Sequence, residues 1–313
     1  MTATRVIHVL VVLLATLVTA PLGTRVVAWL SLLLLAGAVP APAHAQSTPT
    51  VVTELRTQVG ASINNLGAQY TLEWSRRKAL APAAGPLRSD AHVQFGAATA
   101  VTPSYARVGL WAQVAPISML VIRAGVEPAL YFGTFNSLMS LDSRDAPFDT
   151  DTRKARGGAT TGTVWRWYVT PSLRARLGRV VALASADIER WSASADGPLF
   201  YEPTRDTLLA VSGDTLLGLR QVVMYEHVKT NGARLAVGGV HTLQRVNGFR
   251  HSRLNQVQKL GGVFTYQSVG RVAGMARPSV MFTVARYLDD PSKQHGWTTA
   301  VTFGGTLRRR ETR

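Results

Sequence analysis

Apolar and polar residues alternate with a period of two along most of the chain beyond residue 60, the signature of strands with two unlike faces. The clearest run covers 160–177. Thr161, Thr163, Trp165, Trp167, Val169, Pro171, Leu173, Ala175 and Leu177 fall on one parity; Thr160, Gly162, Val164, Arg166, Tyr168, Thr170, Ser172, Arg174 and Arg176 fall on the other. Strands of soluble sheets are usually about 5–6 residues long, so this one suits a tilted span across a membrane. The device recurs at Leu66–Trp74, Leu120–Glu127, Ala182–Glu189 and Val301–Leu307. Helical spacing is convincing nowhere in this region.

Ten strands are expected, at about 61–75, 90–113, 118–134, 158–176, 180–194, 215–229, 234–246, 256–269, 278–289 and 297–308; splitting the second at Pro103, together with one other, makes twelve. Long polar connections near 76–89, 135–157, 195–214, 247–255 and 290–296 alternate with short breaks near 114–117, 177–179, 230–233 and 270–277. Asn231-Gly232 is the strongest hairpin signal, suited to a type I′ turn. Long connections at one end and tight turns at the other describe an antiparallel up-and-down transmembrane β-barrel with its long loops outside and both termini inside. Val101–Gly109 echoes Val169–Gly178 around a Thr-Pro-Ser triplet, which suggests equivalent strands bent at a proline.

The first 45 residues change the picture. Residues 6–22 and 26–37 are apolar, and Ala43-His44-Ala45 supplies the small-x-small pattern of a processing site. This reads as a signal peptide over 1–45, followed by a short periplasmic segment at 46–60, the barrel at 61–308 and a basic tail at 309–313. No later stretch has 18 uninterrupted apolar residues, so no transmembrane helix is expected. The chain has no cysteine, which fits an exported protein stabilised by closure rather than by disulfides. Its net charge is +16. Such an excess favours polyanions, and behind a leader the nearest is lipopolysaccharide phosphate rather than nucleic acid. A soluble periplasmic β-protein is the competing reading, and it predicts extraction without detergent.

Over residues 60–308 the chain resembles bacterial outer-membrane β-barrel proteins as a class, on pattern alone and without a family motif. Tyr70, Trp74, Trp165, Trp167 and Trp297 stand where interfacial aromatic girdles belong. The resemblance implies an outer-membrane location, contact with outer-membrane lipid and lipopolysaccharide, and dependence on periplasmic chaperones and the barrel-insertion machinery. One departure is the C-terminus, which runs Thr306-Leu307-Arg308-Arg309-Arg310-Glu311-Thr312-Arg313 where such barrels commonly end on an aromatic; Phe303 is the nearest candidate for that part.

Candidate chemistry is sparse. Tyr225-Glu226-His227-Val228-Lys229-Thr230-Asn231-Gly232 resembles the His-x-Ser-Asn segment of outer-membrane phospholipases and lipid A deacylases, which would give His227, Thr230 and Asn231 catalytic roles. Residues i and i+2 share a strand face, so base and nucleophile can meet at that spacing. Here the hydroxyl is three residues on, and a polar strand end entering a turn is the plainer reading. Asp142, Asp145, Asp149 and Asp151, and then Asp196, Glu202, Asp206 and Asp214, gather in expected outer loops; their spacing matches no calcium loop, and no metal or cofactor is assigned. An omptin-like protease is disfavoured because residues 135–214 contain no histidine.

The lumen is more informative. Arg107, Arg123, Arg166, Arg174, Arg176 and Arg220 are expected to face inward with Glu73, Glu127, Asp187, Glu189 and Glu226. Charges in a narrow lumen call for partners. Small barrels are filled by their side chains, and wide water-filled channels need about sixteen strands. Two non-enzymatic outcomes stay open: a plugged barrel that serves structure or surface interaction, or a small anion-favouring pore lined by arginine.

Overall fold

A computed structural model describes residues 51–64, 67–80, 87–135, 137–144, 146–246, 256–290 and 296–312. The expected signal peptide lies outside the described residues. The wall of the fold is a closed antiparallel sheet of twelve long strands: β1 (Val51–Ile63), β2 (Gly67–Ala79), β3 (His92–Val101), β4 (Tyr105–Ile117), β5 (Leu120–Phe132), β7 (Thr161–Leu177), β8 (Val180–Ala193), β11 (Asp214–Val228), β12 (Arg234–Val246), β13 (Gln256–Gln267), β15 (Met275–Asp289) and β16 (Trp297–Thr312). Each pairs with its neighbour along the chain, and β1 closes on β16 from Val51↔Thr312 to Ile63↔Thr299. The two-residue β14 (Arg271–Val272) trails β15 at one end. Within the long β5–β7 and β8–β11 connections lie β6 (Ser140–Leu141), helix α1 (Thr150–Arg156), β9 (Leu199–Glu202) and β10 (Thr207–Ala210).

The strand count is twelve because two of the ten expected segments contain a turn. The 90–113 segment breaks at Thr102-Pro103-Ser104, where Thr102 Oγ1 accepts from the backbone N–H of Ser104 and Tyr105 at 3.1 and 3.0 Å. The proline cannot donate to a ladder, and the threonine folds the chain back beside it. The 61–75 segment breaks after Asn64, which takes a left-handed φ of 62°. Residues 51–60 and 309–312, expected to flank the barrel, are therefore strand. The echo around the two Thr-Pro-Ser triplets also dissolves. Pro103 sits in a turn, whereas Pro171 pairs in register with Ile122 inside β7.

Val51 and Thr312, where the described wall begins and ends, lie together at one end of the barrel, the terminal end. β5 and β7, and β8 and β11, are joined at the opposite, loop end, where β12 and β15 also finish and β13 and β16 begin. The connection expected near 76–89 is not at that end: β2 runs on to Ala79, which pairs with His92 at the start of β3, at the terminal end. The 229–233 turn is not type I′. Gly232 alone has positive φ, at 84°, and Lys229 N–H reaches Ala233 O at 2.8 Å.

Alternation puts large apolar side chains on the outer face, including Tyr70, Trp74, Phe95, Leu110, Trp165, Trp167, Ile188, Phe264, Phe282, Trp297 and Phe303, all exposed. An apolar exterior of this size is not stable in water. A closed barrel, with every wall ladder satisfied, is one of only two backbone designs that hydrocarbon accepts. An even strand number, antiparallel order, an apolar exterior carrying aromatics and long loops at one end make this the architecture of a bacterial outer-membrane β-barrel, and that membrane is its location. Among the described residues no helix is long and apolar enough to cross a membrane.

Candidate functional site

The 133–160 and 194–213 connections fold inward. β6, β9 and β10 form a small antiparallel sheet with Ser140↔Phe200 and Leu199↔Ala210 as registers. One apolar face of this plug, Leu138, Phe200 and Leu209, meets wall residues Tyr105, Ala129, Tyr131, Val164, Trp191, Leu216 and Val246. The rest of the plug holds together through Met139, Leu141, Phe148, Leu199, Tyr201 and Leu208. Phe200, Tyr201, Leu208 and Leu209 are fully buried. Complete burial of each such side chain contributes about 1.5–3 kcal/mol, so the plug is a core of its own. The wall makes room for it: a Cβ on Gly162 would stand 2.5 Å from Leu138 Cδ2 and 2.5 Å from the Ser194 carbonyl.

Polar residues lock the plug to the wall. Glu189, with no exposed side-chain surface, accepts from Arg166 at 2.5 Å, from Trp191 Nε1 at 2.7 Å and from Arg205 Nε at 3.0 Å; a second Arg205 nitrogen also reaches it. Arg205 belongs to the plug and Glu189 to β8. Arg166 donates its other nitrogen to Glu127 at 2.7 Å, and Glu127 takes a third arginine, Arg107, at 3.1 Å. Tyr131 of the wall donates to Glu202 of the plug at 2.5 Å, and Glu202 also receives Thr204 N–H at 2.9 Å. Gln244 of β12 donates to the Arg205 carbonyl at 2.7 Å. Inside the plug Tyr201 donates to Asp206 at 2.6 Å; burial and the neighbouring carboxylate push its phenol well above the ordinary tyrosine range.

Below the plug the lumen changes character. Arg123 donates to Glu73 at 2.8 Å and lies 3.7 Å over the Trp111 ring. Trp111 fits because its neighbour across the ladder is Gly96, where a Cβ would come within 2.5 Å of its ring. Asp187 accepts from Thr170 at 2.7 Å. Towards the terminal end Arg77 and Arg174 both reach Asp90, while Arg176 and Arg234 stand 2.6 and 3.8 Å from Glu226. A cavity of about 750 Å³ opens there, lined in part by Glu54, Arg56, Glu73, Thr265 and Arg309.

All eleven expected lumen residues lie on the inward parity, but they do not form one lattice. Arg107, Glu127, Arg166 and Glu189 belong to the network under the plug; Glu73 pairs with Arg123 at mid-height, and Tyr168 stands between Arg123 and Arg166. Arg174, Arg176 and Glu226 sit in half-solvated pairs near the terminal end. Asp187 has a hydroxyl partner, and Arg220 is exposed in the lumen with no carboxylate within ion-pair reach among the described residues. His227, Thr230 and Asn231 are exposed at the terminal end, and Asn231 spends its side-chain oxygen on Ala233 N–H at 3.0 Å. Among the described residues no hydrogen bond joins His227 to Thr230 or Asn231.

The acidic residues assigned to solvated loops divide. Asp142 is exposed and pairs with Arg156 at 3.0 Å. Asp149 caps α1, accepting from Asp151 and Thr152 N–H, and the Thr152 hydrogen bonds hold its carboxyl below the usual range. Asp145 lies outside the described residues. Glu202, Asp206 and Asp214 are buried instead, with Asp214 taking Arg144 at 2.8 Å. Sequence reading assigned no part to Tyr131, Trp191 and Arg205 and placed Glu202 among the acids of an outer loop; in the structure all four tie the plug to the wall. Their signal was present: Leu199-Phe200-Tyr201 and Leu208-Leu209-Ala210-Val211 are apolar runs inside a connection that is otherwise polar. Among the described residues no three His, Cys, Asp or Glu side chains gather as metal ligands do.

No protein-family model and no curated protein matches the chain. Solved structures with a similar shape include a NanC porin (11% identity, 81% of this chain and 99% of that one, TM-score 0.39). They also include the β domain of the Bordetella autotransporter BrkA (10%, 83% and 100%, TM-score 0.41) and the translocator domain of the autotransporter NalP from Neisseria meningitidis (10%, 85% and 90%, TM-score 0.39). Likeness of this grade assigns no activity to the chain.

Proposed function

We propose that this protein is a non-enzymatic outer-membrane barrel, sealed at its loop end by a folded plug, which presents its loops to the surroundings rather than conducting solute. One observation carries the reading: Phe200 and Leu209 are wholly buried between the plug and the wall, and Tyr201 and Leu208 are wholly buried within the plug itself. An aqueous path needs a hydrated lining, and an arginine-lined anion pore needs unpaired cations along it. Here Arg107, Arg166 and Arg205 are all committed to carboxylates. The hydrolase reading needs a base and nucleophile in contact, and the arrangement of His227 and Thr230 does not favour it.

The test is electrical. The chain refolded into detergent and inserted in a planar bilayer should give stable insertion without conductance steps. Steady open steps with anion preference would replace the sealed barrel with a pore. Cleavage of phospholipid or lipid A that disappears on His227→Ala would replace it with an enzyme.

A further inference from the structure

Charge is sorted across the wall. Among the described strands Glu54, Glu73, Glu127, Asp187, Glu189, Asp214, Glu226 and Glu311 all take the inward parity. The one outward carboxylate is Asp289, which accepts from Gln256 Nε2 at 2.7 Å. Outward arginines have no such shortage: Arg190 of β8, Arg245 of β12 and Arg286 of β15 stand toward the loop end, and Arg76, Arg308 and Arg310 toward the terminal end. Arg190 is exposed, and among the described residues no carboxylate pairs with it. A shallow groove of about 670 Å³ starts beside it on the outer face. Small residues, Ala112 and Ala124 with the backbone at Gly125, make its floor; Leu110, Trp167 and Ile188 stand up around it, and Arg190 and Thr215 close its loop-end edge.

We propose that this groove is a specific lipid site which takes an acyl chain of lipopolysaccharide against Ala112 and Ala124 and its phosphate against Arg190. Three features argue for this occupant. The groove faces hydrocarbon, so what fills it is an acyl chain. Among the described residues the cation at its edge has no carboxylate partner, and burying phosphate oxygens against a guanidinium gives short, charge-assisted hydrogen bonds. The edge lies toward the loop end, which in an outer-membrane barrel is the leaflet of the phosphorylated glycolipid. The proposal rests on the membrane-spanning fold and not on the seal, so a conducting barrel would leave it standing.

The experiment uses the full chain purified from outer membranes in mild detergent, its folding checked by heat-modifiable mobility. Binding is read by native mass spectrometry with added lipopolysaccharide or phosphatidylglycerol. Retention of lipopolysaccharide over phosphatidylglycerol is expected. Arg190→Ala should weaken it about fivefold, the contribution of one basic residue at an anionic surface, and Arg190→Lys should restore most of it. Ala124→Trp fills the floor and should weaken retention as well, whereas Ala61→Trp, on the outer face of β1, should change nothing. Equal retention of the two lipids overturns the assignment to lipopolysaccharide. Unchanged retention in both Arg190→Ala and Ala124→Trp overturns the site.

Discussion

The two halves of the lumen use the same residue types to opposite ends. At the loop end, Glu189 is stripped of solvent and surrounded by Arg166, Arg205 and Trp191; at the terminal end, Glu226 meets Arg176 and Arg234, cations that are about half exposed. The first cluster ties a plug to a wall beside an apolar core; in the second, two half-exposed arginines meet one carboxylate outside any such core. A buried charge that loses its partner is strongly destabilising, whereas an exposed pair contributes little. Sequence pattern treats the clusters alike, since each is an inward glutamate within reach of arginines. Burial separates them, and burial comes from the plug.

The comparison is sharpest at Glu189. Replacing it with alanine takes from Arg205 its carboxylate partner and leaves Arg166 with Glu127 alone, beside an empty buried position, and the plug should lose about 3–5 kcal/mol of its hold. Hydrogen exchange of the amides at 199–210 would measure this as accelerated opening, with the wall ladders still protected. Phe200→Ala attacks the same closure through packing and should cost about 3–5 kcal/mol, in the same amides. If either variant unfolds the wall together with the plug, the two are one cooperative unit and the division into halves fails.

Alkali gives a smaller, graded effect. The buried Tyr201 phenol has a raised pKa, so its neutral form favours the fold. That contribution is complete below the ordinary tyrosine value of about 10 and is lost as pH rises from there toward the folded-state value. Plug exchange should therefore quicken above about pH 10, and Tyr201→Phe should remove that component. The smallest effect belongs to the terminal end, where Glu226→Ala should change barrel stability by no more than about 1 kcal/mol, read as urea midpoint. A loss as large as that of Glu189→Ala would erase the contrast.

Much of the wall was legible from period alone. The inward parity of Arg166, Glu189 and their companions follows from strict alternation over long strands, because a one-residue slip would turn every one of them to lipid. Strand number was less legible, since Thr102-Pro103-Ser104 and Asn64 turn the chain in two or three residues, without the polar stretch that marks a connection. The plug was least legible. Glu202, Asp206 and Asp214 look like solvated loop acids, and only three-dimensional closure brings Tyr131, Tyr201 and Arg144 to them. The apolar runs at 199–201 and 208–211 are the local evidence that this connection has a core.

The most direct test of the seal exploits the absence of cysteine from the chain. Thr71 lines the lumen below the plug, so Thr71→Cys places one thiol there. In intact cells an impermeant maleimide added outside should leave that thiol unlabelled. The same variant with residues 198–211 replaced by a Gly-Ser linker should label readily. Rapid labelling of Thr71→Cys with the plug in place would contradict a sealed barrel.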